Sequence, residues 1–487
     1  MKGHQLRMGG FWACWLLMAY SCAPNIEQMK FPDHDSFLSP SDTKKLLVAW
    51  QAEGQPETLA DRPLRIINRH PHLEKLESFK LTPSFSLPTR IHQATSCLGL
   101  ATLLNSEQKP PITPINEHAW FITPQPGTLA IHSSVNKGLT LYIFDPRSEP
   151  NYQGTTLASN LLAPFEHQRS KDLRLPTGFS ALLRPEQFAS QRGFYLATKY
   201  DPSKIPLIFV HGLLATPFDF EELASTLAAE PEIWEKYQFW FYFYPTGEHW
   251  LKTAADFRTD FRSLVFKLDP YRRDQPLQKK TTIIAHSMGG LITRLSLSQP
   301  SSTLIDRYLA PELVAEHDLS KEEQAFLEKR LRFQPLAQPA TLFTVATPHQ
   351  GSGWARGPLR WLAQNVINFP GSPDSKQSSS RQRPPWDTTH ATDQAHPFLS
   401  RRDSSINGLH PENLALAALN EMPLRDGLIV HNIIATVTGT PRGGGDWVVP
   451  YDSAHFPLAT SETIVRSGHW LLRSSETAEA ITLKLKE

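Results

Sequence analysis

From Ile205 to the C-terminus the apolar positions alternate between two patterns. IPLIFVHG (205–212) is a short, nearly all-apolar run that stops at a glycine, as a strand buried on both faces reads. YQFWFYFYP (237–245), TTIIAHS (281–287), ATLFTVATP (340–348), HNIIATVTG (431–439) and SETIVRSGH (461–469) continue the series. Between these runs apolar residues return at helical spacing, with positions 254, 257, 261, 264, 265 and 268 on one face. Thr216-Pro217-Phe218-Asp219 reads as an N-cap, a proline at N1 and an acid at N3, opening a helix to about Ala229. Further helices are expected over Met288–Ser298 and Glu476–Lys486. Strand and helix alternate, which predicts an α/β protein with a mostly parallel, doubly wound sheet and ligands outside the carboxyl ends of its strands.

Upstream the pattern is weaker. Residues 22–60 read as a polar tether and a first helix around Ser41–Glu53. Residues 61–200 hold short β-rich runs, among them TLAIHSS (128–134), GLTLYIFDP and GFYLATKYDP, and predict a smaller N-terminal accessory region with strands. The main domain is then expected over 201–487. One stretch interrupts its rhythm, a long insertion at about 351–420 that contains SPDSKQSSSRQRPP. An insertion above the strand ends is where a lid or cap would sit.

Charge and cysteine content narrow the function class. Among 487 residues, 49 basic and 48 acidic side chains nearly balance, so nothing argues for nucleic acid as a partner. Of the three cysteines, Cys14 and Cys22 lie in the N-terminal segment and Cys97 stands alone beyond it, which excludes a disulfide framework and zinc-type cysteine pairs. No metal or cofactor is called for. Lys2 and Arg7 precede an apolar run from Phe11 to Tyr20, too short to span a bilayer at about 20 residues. Residues 1–21 resemble a bacterial lipoprotein signal peptide, with Ala19 where that class most often has leucine. The resemblance implies lipidation of Cys22, a membrane anchor and a place in the bacterial cell envelope, with Ala23 permitting the outer membrane. The alternative is an ordinary signal cut near Ser21 or Ala23.

The chemistry concentrates at the strand ends. Ala285-His286-Ser287-Met288-Gly289 follows a strand and opens a helix, which would put Ser287 on a sharp turn with its hydroxyl above the sheet. A serine hydroxyl is a weak nucleophile and needs a base, itself held by an acid. His469 in SGHW follows the last expected strand. Asp446 lies on the glycine-rich loop GGGDWVVPYDSA, with Asp452 as the other available acid. A developing oxyanion needs two donors, for which the backbone N–H groups of Leu213 and Met288 are the candidates. His349, Trp354 and Trp361 read more simply as structural residues.

FVHGLL, AHSMGG, ATPHQGS, GDWVVPYDSA and SGHW together resemble the α/β-hydrolase fold on its lipase and esterase side, nearest to bacterial hydrolases similar to the GPI inositol-deacylase group. The likeness covers about Ile205 to the C-terminus. It implies a triad of Ser287, Asp446 and His469 and hydrolysis of a carboxylic ester, with a lipid ester favoured, through an acyl-enzyme. The family usually has glycine in place of Ala285 and of Trp447. Amide, peptide or thioester hydrolysis, acyl transfer to an alcohol, and a non-enzymatic envelope protein on the same scaffold stay open.

Overall fold

The computed structural model describes residues 29–70, 73, 76, 78–81, 98–105, 112–122, 125–146, 149, 151–157, 178–316, 321–352, 407–411, 413–441 and 444–487. The chain divides into two compact units. One comprises residues 1–109 and 124–164, the other 110–123 and 165–487.

The first unit is built on a seven-stranded, mainly antiparallel sheet. Its strands Gln125–Ser134 and Gly138–Phe144 form a hairpin, and Arg62–Asn68 joins Gly138–Phe144 in parallel. The helix Pro40–Ala52 opens with Ser39, whose hydroxyl accepts from the Asp42 N–H at 3.1 Å. Leu46, Leu47 and Trp50 from this helix are buried in one cluster with Leu129, Ile131, Leu139, Leu141 and Ile143 of the strands. Period-2 alternation in the strands and 3.6-residue spacing in the helix thus feed one core.

The second unit carries a nine-stranded sheet. Its order is Ser461–Arg466, Ile429–Thr436, Pro339–Val345, Thr281–His286, Ile205–Val210, Tyr237–Phe243, Gly193–Leu196, Ala119–Ile122 and Ile112–Asn116. The six strands expected from the sequence are the first six of this order and run parallel to one another. Gly193–Leu196 joins antiparallel to Tyr237–Phe243, Ala119–Ile122 lies parallel to Gly193–Leu196, and Ile112–Asn116 closes the edge antiparallel. Every residue of Ile205–Val210, Tyr237–Phe243 and Thr281–His286 is buried, which explains their unbroken apolar reading. Helices Trp250–Leu268 and Met288–Leu297 pack their apolar faces into the same core.

The expected boundary at 200/201 is corrected by this arrangement. GFYLATKYDP supplies a strand of the larger sheet, not of the N-terminal unit, and residues 112–122 reach that sheet as a hairpin. The reason is edge protection: without Gly193–Leu196, the aromatic strand Tyr237–Phe243 would be an open edge. The expected insertion at 351–420 is shortened at its far end. Residues 353–406, with Trp354, Trp361 and the 372–385 run, lie outside the described residues, but Leu414–Glu421 is a core helix with Leu414, Leu416 and Leu419 buried. Residues 1–28, and with them the signal segment and Cys22, also lie outside the described residues. Among the described residues no helix is long and apolar enough to cross a membrane.

Candidate active site

The order of the parallel strands creates a crevice. From Ile205–Val210 the chain moves to Tyr237–Phe243 on one side, then crosses back to Thr281–His286 on the other. Ligands in such sheets bind at this reversal, outside the carboxyl ends. Val210 and Ala285 are register partners there, so the loops that follow them meet.

Ser287 stands in the turn between strand and helix, at φ 52° and ψ −123°. An L-residue in that region costs about 1–3 kcal/mol and persists only where its surroundings fix it. Two hydrogen bonds do so: the Ser287 N–H donates to the Val345 carbonyl at 2.8 Å, and the Gly290 N–H donates to the Ser287 carbonyl at 2.9 Å. The helix must also approach the neighbouring strand. A Cβ on Gly289 would lie 2.5 Å from the carbonyl oxygens of Val210 and His211. Ala285, where a glycine is more usual, is fully buried and simply joins the core.

His469 and Asp446 reach Ser287 from the next loops. The His469 Nε2 lies 3.0 Å from Ser287 Oγ, and its Nδ1 lies 2.8 Å from Asp446 Oδ2. A carboxylate can only accept, so Nδ1 carries the proton, and the bare Nε2 accepts the hydroxyl proton of Ser287. The second carboxylate oxygen is held too: Asp446 Oδ1 accepts from the N–H groups of Val448 at 2.9 Å and Val449 at 2.7 Å. The His469 N–H donates to the Asp446 carbonyl at 3.1 Å, tying the two loops by backbone as well. Ser287 keeps 6 % exposure and His469 7 %, so both are nearly buried. Asp452 is exposed on the short helix Tyr451–Ala454, and the described contacts of His469 go to Asp446.

The loop after the first central strand lies against the serine. A Cβ on Gly212 would come within 2.8 Å of the Ser287 Cβ. Among the described residues neither the Leu213 nor the Met288 N–H donates to another backbone group, and Leu214 turns the chain away at φ 60°. His211 anchors this loop. Its Nδ1–H donates to the Gly212 carbonyl at 3.0 Å, its Nε2 accepts from the Tyr244 N–H at 3.3 Å, and the Tyr244 hydroxyl donates to the His211 carbonyl at 2.6 Å. Burial pushes the His211 imidazole down to about 3, which keeps it neutral.

His286 has a role that the motif does not announce. Its Nε2–H donates to the His469 carbonyl at 2.9 Å, linking the turn that carries the serine to the loop that carries the histidine. Burial, and then repulsion from His469, push its imidazole down to about 3. The only signal in the sequence is that both residues preceding the two site glycine loops, 211 and 286, are histidines. His349 is structural, stacked on Phe456 at 4.3 Å and facing the Arg294 guanidinium at 3.3 Å.

Two exposed tryptophans follow the acid and the histidine in sequence. Trp447, next to the acid, is 74 % exposed and sits at φ 75°. Trp470 is 54 % exposed, with its ring 6.0 Å from those of both His286 and His469.

Strand order, the strained turn after Thr281–His286, and the chain order serine, aspartate, histidine are those of the α/β-hydrolase fold. A family model described as "Putative serine esterase (DUF676)" matches residues 201–362. Among solved structures, the chain is similar to the mature lipase BlEst2 of Bacillus licheniformis at 14 % identity, over 58 % of this chain and 93 % of that one, with a TM-score of 0.34. It is also similar to an esterase from Exiguobacterium antarcticum at 15 % identity, over 61 % and 96 % of the two chains, with a TM-score of 0.31. No curated protein matches the chain.

Proposed function

We propose that the protein is a serine hydrolase of carboxylic esters, with Ser287 as nucleophile, His469 as general base and Asp446 as the acid that orients it. The observation that carries this reading is the pair of contacts of His469, 3.0 Å to Ser287 and 2.8 Å to Asp446, on a strained turn. The match of residues 201–362 to a serine esterase family supports it.

In this mechanism His469 Nε2 takes the hydroxyl proton as Ser287 Oγ attacks the ester carbonyl carbon. Asp446, fixed by Val448 and Val449, stabilises the imidazolium without becoming protonated. The N–H groups of Leu213 and Met288 hold the oxyanion. The imidazolium returns its proton to the leaving alkoxide, which departs as the alcohol and leaves an acyl-enzyme. A water molecule, deprotonated by His469, then releases the acid and regenerates the serine.

A lipid ester is the favoured substrate. Trp470, its ring 6.0 Å from that of His469, and the exposed Trp447, next in sequence to the acid, offer apolar surface on which an acyl chain would lie. The expected lipid anchor at Cys22, read from the sequence, would hold the enzyme at a membrane of the cell envelope.

The test is labelling with a fluorophosphonate probe together with p-nitrophenyl esters of rising chain length and their amide and thioester counterparts. Wild type is expected to label and to turn over esters. Ser287→Ala and His469→Ala should lose labelling and at least about a thousandfold in kcat. A folded wild type that neither labels nor turns over esters would sink the reading. Trp470→Ala is expected to lower kcat/KM for long-chain esters several-fold while sparing p-nitrophenyl acetate.

A further inference from the structure

A second concavity lies away from the serine, between the helices Trp250–Leu268 and Lys321–Leu331. Its volume is about 350 Å³. On the first helix, Lys252, Asp256, Thr259 and Arg262 recur every three or four residues and so share a face. Lys329 and Arg330 come from the second helix, and Arg258 lines the floor. Five of the lining side chains are basic, and one, Asp256, is acidic.

That acid is already engaged. Asp256 accepts from Lys252 at 2.9 Å and from Arg192 at 2.9 Å, and Lys252 also reaches Glu248 at 2.6 Å. Arg258, Arg262, Lys329 and Arg330 have no carboxylate partner among the described residues. Arg258 is the telling one. It is only 3 % exposed, its Nη2 reaches the Arg330 carbonyl at a long 3.4 Å, and its Nη1 has no hydrogen-bond partner among the described residues. Buried cations are otherwise paired, because an uncompensated one is among the costliest groups a fold can hold. Burial, and then the neighbouring Arg262, push the Arg258 guanidinium down to about 9. Aromatic rings hold two of the guanidinium groups in place: Phe333 lies 3.7 Å from Arg258 and Phe326 3.6 Å from Arg330. Such a set is built in advance for a compact, multiply charged acceptor, since guanidinium forks match the oxygens of a phosphate.

We propose that this cavity is an anion site that takes the phosphate group of a phosphate ester, separate from the proposed ester-cleaving centre. The phosphate oxygens accept from the Arg262, Lys329 and Arg330 side chains, and Arg258 Nη1 joins them once its guanidinium turns toward the cavity. The phosphate could belong to a soluble ester or to a lipid headgroup, and the two sources are separable.

The experiment is thermal unfolding of the full chain in inorganic phosphate, and in glycerol 3-phosphate, against chloride at matched ionic strength. A saturable rise in Tm of roughly 3 °C beyond chloride is expected for wild type. An Arg262→Gln/Lys329→Gln double variant, altered only at exposed side chains, should lose that increment and keep its turnover of p-nitrophenyl acetate. Arg258→Met should also lose it, with no fall in Tm in chloride, because the substitution removes an unpaired buried charge. A second arm measures flotation with phosphatidylcholine vesicles with and without phosphatidic acid, comparing wild type with the double variant so that any lipid anchor cancels. Extra binding of wild type to the phosphatidic acid vesicles, without a response to soluble phosphate, assigns the site to a headgroup. Two results overturn the proposal: a phosphate response or vesicle binding that survives undiminished in the double variant, or the absence in both arms of any difference from the chloride and phosphatidylcholine controls. Neither readout depends on ester turnover, so the fate of the esterase reading is decided separately.

Discussion

Gly212 shows how little room the proposed centre leaves. Alanine there would put a methyl carbon 2.8 Å from the Ser287 Cβ and 3.1 Å from His286 Nδ1, and both neighbours are fixed. Gly212→Ala is therefore expected to displace the nucleophile and to lower kcat on p-nitrophenyl acetate about tenfold to a hundredfold. A Gly212→Ala enzyme with wild-type kcat would show that the loop yields. Trp447 makes the opposite case. It sits at φ 75°, a conformation that glycine adopts without strain, and its ring is largely in solvent. Trp447→Gly relieves a left-handed L-residue at the cost of a more flexible unfolded chain, so stability should hold or rise by up to about 1 kcal/mol in urea denaturation. That Ser287, Asp446 and His469 would lie together was legible because each follows a strand, in the chain order serine, acid, histidine. The roles of His211 and His286 were not. Their partners are backbone groups, and that of His286 lies 183 residues away.

At the level of elements, the helix Met288–Leu297 and its neighbouring loops are pinned by neutral imidazoles. The unfolded chain gains protons on His211 and His286 as pH falls through 6.5, whereas the folded chain resists until about 3. Their folded values are depressed, so the unfolded state binds more protons in that window and stability falls as pH drops from 6.5 towards 3. Each contributes at most about 1.4 kcal/mol per pH unit. His286→Asn should flatten the plot of Tm against pH over this range relative to wild type. Parallel slopes for the two proteins would show that His286 does not stay neutral in the fold. The six parallel strands were legible because burial on both faces leaves an unbroken apolar run. Gly193–Leu196, Ala119–Ile122 and Ile112–Asn116 were missed as parts of the same sheet. They are short, and their partners are set by which edge needs covering, which periodicity does not encode.

For the whole molecule, the near-neutral balance of charge hides a local excess, since the cations around Arg258 are offset by acids elsewhere on the chain. The division into units has a direct test. A fragment starting at Asp201 keeps the proposed triad but loses three strands and Phe194, whose ring contacts Trp240, Tyr242, Phe257 and Phe261. Losing Phe194 alone is worth about 3–5 kcal/mol, and the open edge invites aggregation. Size-exclusion chromatography should find this fragment aggregated and the full chain not.

The hairpin at 112–122 belongs to the larger unit, yet its codons sit inside the smaller one, so the chain passes from one unit to the other at 109/110, at 123/124 and again at 164/165. The N-terminal unit is thus no cassette that recombination could splice in front of a finished hydrolase. Any exchange of it must carry or replace two strands of its neighbour's sheet, and descent of the two units should be joint. During synthesis the same threading leaves the hairpin waiting, its partner strand Gly193–Leu196 still more than seventy residues from emergence.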